Sequence, residues 1–358
     1  MRQIIDSELG PLRGLSIHLM MLFFSPALLS CDPNESIMEQ APPRTEFSIP
    51  AHRYSTNHYF VDTSYVPLYE QYYGNDIPLI DVSKRIIEAE LWVDRLGLSQ
   101  SEDIIAVTDI SLPTRPFDGY DASYQSPVDV PGVSETGRFR KLLWSEYCIE
   151  GDGYLGIASL TTVMQDNQAI AIAYRREDGL QFGDFVRDLT DTTVQFAVLK
   201  LVKPRNLLSQ GRGYSLAWNM LVKSMYSIGI TNIQQEGFYL NIHRILPTSA
   251  LSPNILGHSL LRVLGLDRYD ANGVRVPDGD GTFDFRLKLT INQSTGEIIF
   301  PYLRPFDDGI KDYFVSRGLP LPDSSYYFPA VYDTTQTGAI NSSRNQYTIE
   351  GSFLPLIR

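Results

Sequence analysis

A series of segments with a two-residue period constrains this chain more than any other feature. In KRIIEAELWVDRLG, Ile87, Ala89, Leu91 and Val93 fall on one face of an extended chain, and Glu88 and Glu90 fall on the other. Side chains of a strand alternate between its faces, so this pattern predicts a half-buried β-strand. DIIAVTDI (103–110), QAIAIAY (168–174) and VQFAVLKLV (194–202) are apolar on both faces and predict central strands. FYLNIHRI (238–245) alternates again, and 21 tyrosines beside 17 phenylalanines add aromatic strand formers. Helical periodicity is short-ranged. Trp218, Leu221, Val222 and Met225 stand at i, i+3, i+4 and i+7, which predicts a helix over 218–226. Ile310, Tyr313 and Phe314 make a smaller stripe, with Gly318 placed as its C-cap. The fold expected is mainly β: an antiparallel, β-sandwich-like module with a few short covering helices.

A chain of 358 residues with 43% hydrophobic and 20% charged residues can bury a real core, in one large or two medium domains. It contains no internal repeat. Residues 32–50 are polar and Pro-rich and read as a tether; 111–137, rich in Pro, Gly, Ser and Asp, reads as a long loop. A net charge of −12 with no basic run argues against a nucleic-acid partner, because phosphate binding needs clustered Lys and Arg.

Ahead of the tether, SIHLMMLFFSPALLS has the length of a signal peptide's apolar region and is too short for a spanning helix. The Leu28, Leu29, Ser30, Cys31 run that closes it resembles a lipobox, which makes Cys31 the candidate lipidation residue. Asp6 and Glu8 beside Arg2 and Arg13 do not match the positive n-region of a secretory signal, so an unrelated start is the other reading. Cys148, within the strand-like LLWSEYCIE, reads as a small buried hydrophobe.

No catalytic constellation can be assembled from spacing. His18, His52, His58, His243 and His258 stand in no paired-ligand pattern, and GHSLL misses the nucleophile elbow because Leu261 replaces its second glycine. His243, on an alternating strand, reads as a surface or satisfied structural histidine. The one candidate site is the acidic run LGLDRYDANGVRVPDGDGTFDF. Calcium takes six to eight oxygen ligands at closely spaced Asp and Asn near a glycine turn. Asp267, Asp270, Asn272, Asp278, Asp280 and Asp284 are therefore its candidate ligands, although no EF-hand register exists. The competing reading is two turns, Asn272-Gly273 and Asp280-Gly281, chosen for their tolerance of positive φ. Beyond them, Phe283, Phe285, Leu287, Leu289 and Ile291 alternate with Asp284, Arg286, Lys288 and Thr290 and predict a strand.

Read in order, several segments resemble the SprA/Sov family, the outer-membrane translocons of type IX secretion in the Bacteroidetes. They are TEFSIPAHRYSTNHYFV, KRIIEAELWVDRLG with SEDIIAVTDI, RKLLWSEYCIEGDGYLGIASL and NQAIAIAYRREDGLQFGDF. WNMLVKSMYSIGITNIQQEGFYLNI, the LDRYD…DGTFDF and GEIIFPYLRPF pieces, and YDTTQTGAINSSRNQYTIEG complete the series. The resemblance covers 41–352, leaving 1–40 as a signal-like or unmatched leader and 353–358 as a truncated tail. It implies a non-catalytic module at the outer membrane or cell surface that serves protein export and gliding motility. Its implied partners are the rest of a translocon barrel and type IX components or cargo. The alternative of another class is a surface lipoprotein whose β-sandwich binds glycan or protein, with calcium bracing a loop and the tyrosines of HYFVDTSYVPLYEQYYG as a binding face.

Overall fold

A computed structural model describes residues 43–98, 100–125, 128–189 and 196–354; Cys31 and the leader lie outside them. The strands are β1 (Thr45–Pro50), β2 (His58–Phe60), β3 (Ile86–Asp94), β4 (Ile104–Asp109), β5 (Ser134–Lys141) and β6 (Tyr147–Ile149). They continue with β7 (Ile157–Leu160), β8 (Ile170–Arg176), β9 (Gln181–Phe182), β10 (Ala197–Lys203), β11 (Met225–Ser227) and β12 (Tyr239–Ile245). The last are β13 (Leu251–Ser252), β14 (Asn254–Ile255), β15 (His258–Ser259), β16 (Ile291–Asn292), β17 (Glu297–Ile299) and β18 (Tyr347–Phe353). Short helices join them: α1 (Val66–Tyr73), α2 (Ser215–Met220), α3 (Leu260–Val263), α4 (Ile310–Ser316), α5 (Ala330–Asp333) and α6 (Gln336–Ile340). The fold is mainly antiparallel β.

The largest sheet runs β10-β4-β5-β3-β8-β9, and β10 also pairs with β8, so five strands bond in a closed ring. One pair of that ring, β10 with β4, is parallel. Closure explains why β10 is buried throughout and β8 over its first five residues: neither has an open edge. The apolar runs predicted as central strands are these two and β4. Two lysines on β10 are nonetheless buried. Lys200 Nζ lies 2.8 Å from Asp62 Oδ2 and donates to the Ile110 carbonyl at 3.0 Å. Lys203 Nζ donates to the carbonyls of Gln168 and Asp166 at 2.7 and 3.0 Å. Lys200 is thus ion-paired and hydrogen-bonded, whereas Lys203 has carbonyl partners alone among the described residues.

Three expectations move in the details. A bulge between Ile86 and Glu88 shifts the register of β3 against β8, so Ile86 is buried and Ile87 exposed. The loop expected over 111–137 ends earlier, because Ser134 begins β5; SETGRFRK hides its strand character behind polar residues paired across the sheet. The helix expected over 218–226 is instead α2 over Ser215–Met220, followed by extended Leu221 and by β11. Met225 therefore packs from a strand that pairs with β17, whereas Trp218 does pack from a helix and is buried. The second helical stripe is α4, with Gly318 at φ 66° two residues beyond it.

A second sheet, β1-β18-β12-β13, brings the first and last described strands together: Thr45 pairs with Phe353 and Pro50 with Thr348. Smaller sheets are β11-β17-β16 and β2-β7-β6. From Pro43 onward the chain forms one unit around a continuous core. No helix among the described residues is long and apolar enough to cross a membrane.

Candidate functional site

The acidic run folds into turns whose aspartates serve the backbone. Asp267 is fully buried and accepts the Asp280 and Gly281 amides at 2.8 and 3.1 Å. Asp284 accepts the Arg268 and Tyr269 amides at 2.6 and 3.3 Å. Asp270 Oδ1 accepts the amides of Asn272 and Val274 at 2.9 and 2.8 Å, closing the Asn272-Gly273 turn. Asp280 accepts the Thr282 amide at 2.9 Å, and Asp278 stands exposed with Arg317 at 3.9 Å. Burial pushes the carboxyls of Asp267 and Asp284 up, against the pull of the amides they accept. Arg262 supports the loop by donating to the carbonyls of Asp267, at 2.7 Å, and Pro277.

Gly279 allows this closure. Its φ is 71°, and a Cβ there would sit 2.3 Å from the Asp267 carboxylate. Among the described residues, no three carboxylate, imidazole or thiol groups gather as a cation site requires. The hydrogen bonds of the loop are those of the turn reading, and of the candidate calcium ligands Asp267, Asp270, Asn272, Asp278, Asp280 and Asp284 no three carboxylates come together among the described residues. The alternating run after it is not a strand either. Asp284 is drawn back to the Arg268 amide, Lys288 turns at φ 59°, and besides an isolated bridge from Leu287 to Ile291 the run pairs as a strand only at Ile291–Asn292, β16. Phe283 and Phe285 instead pack on Phe238, with ring centres 5.7 and 5.3 Å away.

The structure also brings together groups that spacing gave no reason to connect. Buried His58, on β2, places Nδ1 2.7 Å from Ser159 Oγ and Nε2 2.7 Å from Glu297 Oε1. Burial raises the Glu297 carboxyl, but the bond and charge of His58, with bonds from Thr295 and Ser55, bring it below the ordinary range. A hydroxyl, an imidazole and a carboxylate in line have the order of a hydrolase triad. Ser159, however, sits inside β7, paired to β2 on one side and β6 on the other, and both it and His58 are buried. Burial closes that hydroxyl to an acyl carbon in this conformation. The arrangement ties three strands together. His243 lies across β12 and β18 from Glu350, with Nδ1 3.0 Å from Oε2, yet that nitrogen makes no hydrogen bond among the described residues, so the satisfied partner expected of it is not found. Cys148 differs from expectation: it is exposed on β6, with Sγ 3.2 Å from Glu150 Oε1.

A cleft of about 400 Å³ opens beside α1 and α2, lined by Val66, Pro67, Leu216, Leu221, Lys223 and Arg304. Lys223 is buried and donates to the carbonyls of Trp218 and Leu221 at 2.6 and 3.0 Å, with its ammonium 4.4 Å from the Trp218 ring centre. Burial, and then the charge of Arg304, bring its pKa down to about 7. Arg304 is held by Asp307 at 2.7 Å, Asp308 at 3.0 Å and Asp333 at 2.7 Å, so its charge is already balanced. The cleft thus joins apolar walls to one titrating amine and to the polar side chains of Thr63, Asn219 and Tyr332. A lysine that closes the apolar run Met220, Leu221, Val222 was the available sequence signal for it.

Compared with known proteins, the chain matches no family model and no curated protein.

Proposed function

We propose that residues 41–352 act as a non-catalytic module of the SprA/Sov kind, working at the outer membrane or cell surface in type IX export of folded cargo and in gliding motility. The observation that supports this reading is where the resembling segments fall. TEFSIP is β1, IIEAELWVD is β3, IASL is β7, IAIAYRR is β8, YLNIHRI is β12 and YTIEGSF is β18. They are the framework of one unit rather than scattered surface pieces. The pairing of β1 with β18 adds a second support. The chain enters and leaves the unit at neighbouring points, the arrangement that lets a domain be carried in a loop of a larger assembly. Its partners on this reading are the rest of a translocon barrel and type IX components or cargo, with no nucleic acid.

The lipoprotein reading loses its binding face. Tyr65, Tyr69 and Tyr73 of the Tyr-rich stretch are buried, and Tyr69 donates its hydroxyl to the Phe300 carbonyl at 2.8 Å. The experiment is deletion of the matching module from a complete translocon gene. Loss of type IX cargo export with general secretion intact is the expected result. Normal export, with the shortened translocon present in the outer membrane, overturns the proposal.

A further inference from the structure

Two strands face each other across a groove that no element fills. β5 lies beside β3 only over Trp92–Asp94, and the Leu142 amide makes the last bond between them, to the Leu91 carbonyl at 2.8 Å. The chain then turns away through Leu143 and Trp144 into β6, leaving a groove of about 390 Å³ between the start of β3 and β6. β6 is an edge strand of its sheet. Its phase is fixed by the bonds from the Glu150 amide to the Ile157 carbonyl, 2.8 Å, and from the Thr161 amide to the Glu146 carbonyl, 3.0 Å. Alternate residues of a strand direct their backbone groups to opposite neighbours. Cys148 therefore bonds to β7, and Tyr147 and Ile149 direct their amides and carbonyls to the outer side, where they meet no partner among the described residues.

The walls of the groove suit a peptide. Trp144 is 71% exposed and stacks on Tyr147 with ring centres 5.2 Å apart; Ile87, turned out by the bulge of β3, is exposed on the facing wall. Asp152 lines one end of the groove and makes no ion pair among the described residues. We propose that this groove is a strand-addition site. An extended segment of a partner polypeptide, with apolar residues next to a terminal Lys or Arg, adds to the outer edge of β6. Unpaired main-chain groups supply the affinity, the Trp144 and Ile87 side chains select apolar residues, and the Asp152 carboxylate selects a basic residue at its end of the groove. The inference does not depend on the translocon reading.

The test uses the full chain and a synthetic Lys-Val-Thr-Val-Lys peptide with blocked ends, beside its Glu-Val-Thr-Val-Glu counterpart. Trp92 and Trp218 are buried, so a shift of tryptophan emission to the blue reports on Trp144. The expected result is that shift with the basic peptide, together with at least about tenfold slower hydrogen exchange at the Tyr147 and Ile149 amides, as protection by new strand bonds requires. Trp144→Ala should weaken the basic peptide's effect on exchange without changing the melting temperature. Three results overturn the proposal: no slowing at either amide, equal slowing by the acidic peptide, or a blue shift without slowing. So does a dimer in sedimentation whose Tyr147 and Ile149 amides are protected without peptide, because a second copy would then fill the groove.

Discussion

Asp267 and Gly279 make a pair whose energetics can be separated by substitution. Gly279→Ala puts a methyl onto the Asp267 carboxylate at a positive φ, and should cost about 3 kcal/mol or more in denaturant unfolding. Gly273→Ala is the control. Its φ is 75° but nothing lies within 4 Å of the new methyl, so about 1 kcal/mol is expected. Lys223 gives a pH signature. The unfolded chain holds that proton to about pH 10.4, whereas the fold brings it to about 7. Between those values the unfolded state binds more protons, so stability should rise with pH, by up to about 1.4 kcal/mol per unit. Lys203, brought down to about 8 by burial, adds to the rise above that pH. Urea midpoints from pH 7 to 9.5 should show the rise, and Lys223→Met should flatten it. An unchanged slope in that variant would mean the amine is not the titrating group. The turn chemistry of Asn272-Gly273 and Asp280-Gly281 was legible as local sequence. The His58 chain was not: its partners lie 101 and 239 positions away, and no local pattern encodes such a meeting.

Elements were legible where one periodicity held and obscure where tertiary pairing overrode it. β3 and β8 declare themselves by their apolar positions, but β5 offers only Phe139 as a fully buried large residue, and its Arg140 is taken by Glu146 at 2.8 Å. The 218–226 stripe misled because an i, i+3, i+4, i+7 pattern also fits a helical turn followed by a strand that buries the same core. Trp218 anchors that junction by donating Nε1–H to the Tyr332 carbonyl at 2.6 Å. Trp218→Ala should lower stability by about 3–5 kcal/mol, the scale for losing a buried aromatic; a loss below about 1 kcal/mol would contradict the packing described. At the acidic loop, amides already occupy the carboxylates. Calorimetric melting should therefore be indifferent to millimolar calcium and to chelator, because only a ligand that binds the native state shifts the midpoint.

At the scale of the whole molecule, tyrosine burial sets the alkaline limit. Burial raises the phenols of Tyr54, Tyr59, Tyr69, Tyr73, Tyr174 and Tyr226 above their ordinary range. In the unfolded chain they ionise near pH 10. Above that pH the folded state holds the extra protons, so the lysine-driven rise should give way to a steep fall. Ultraviolet titration should show these phenolates appearing together with unfolding, and gradual ionisation in an intact fold would contradict the burial described. The mainly β character was legible from composition and period, whereas the closed ring and the pairing of β1 with β18 join residues too distant for local pattern to reveal. That pairing makes the central claim testable by exchange. With the matching module of a complete translocon replaced by residues 41–352 of this chain, type IX cargo export should be restored relative to the deletion. A chimera that reaches the outer membrane in normal amount, yet exports no more cargo than the deletion, would contradict the account.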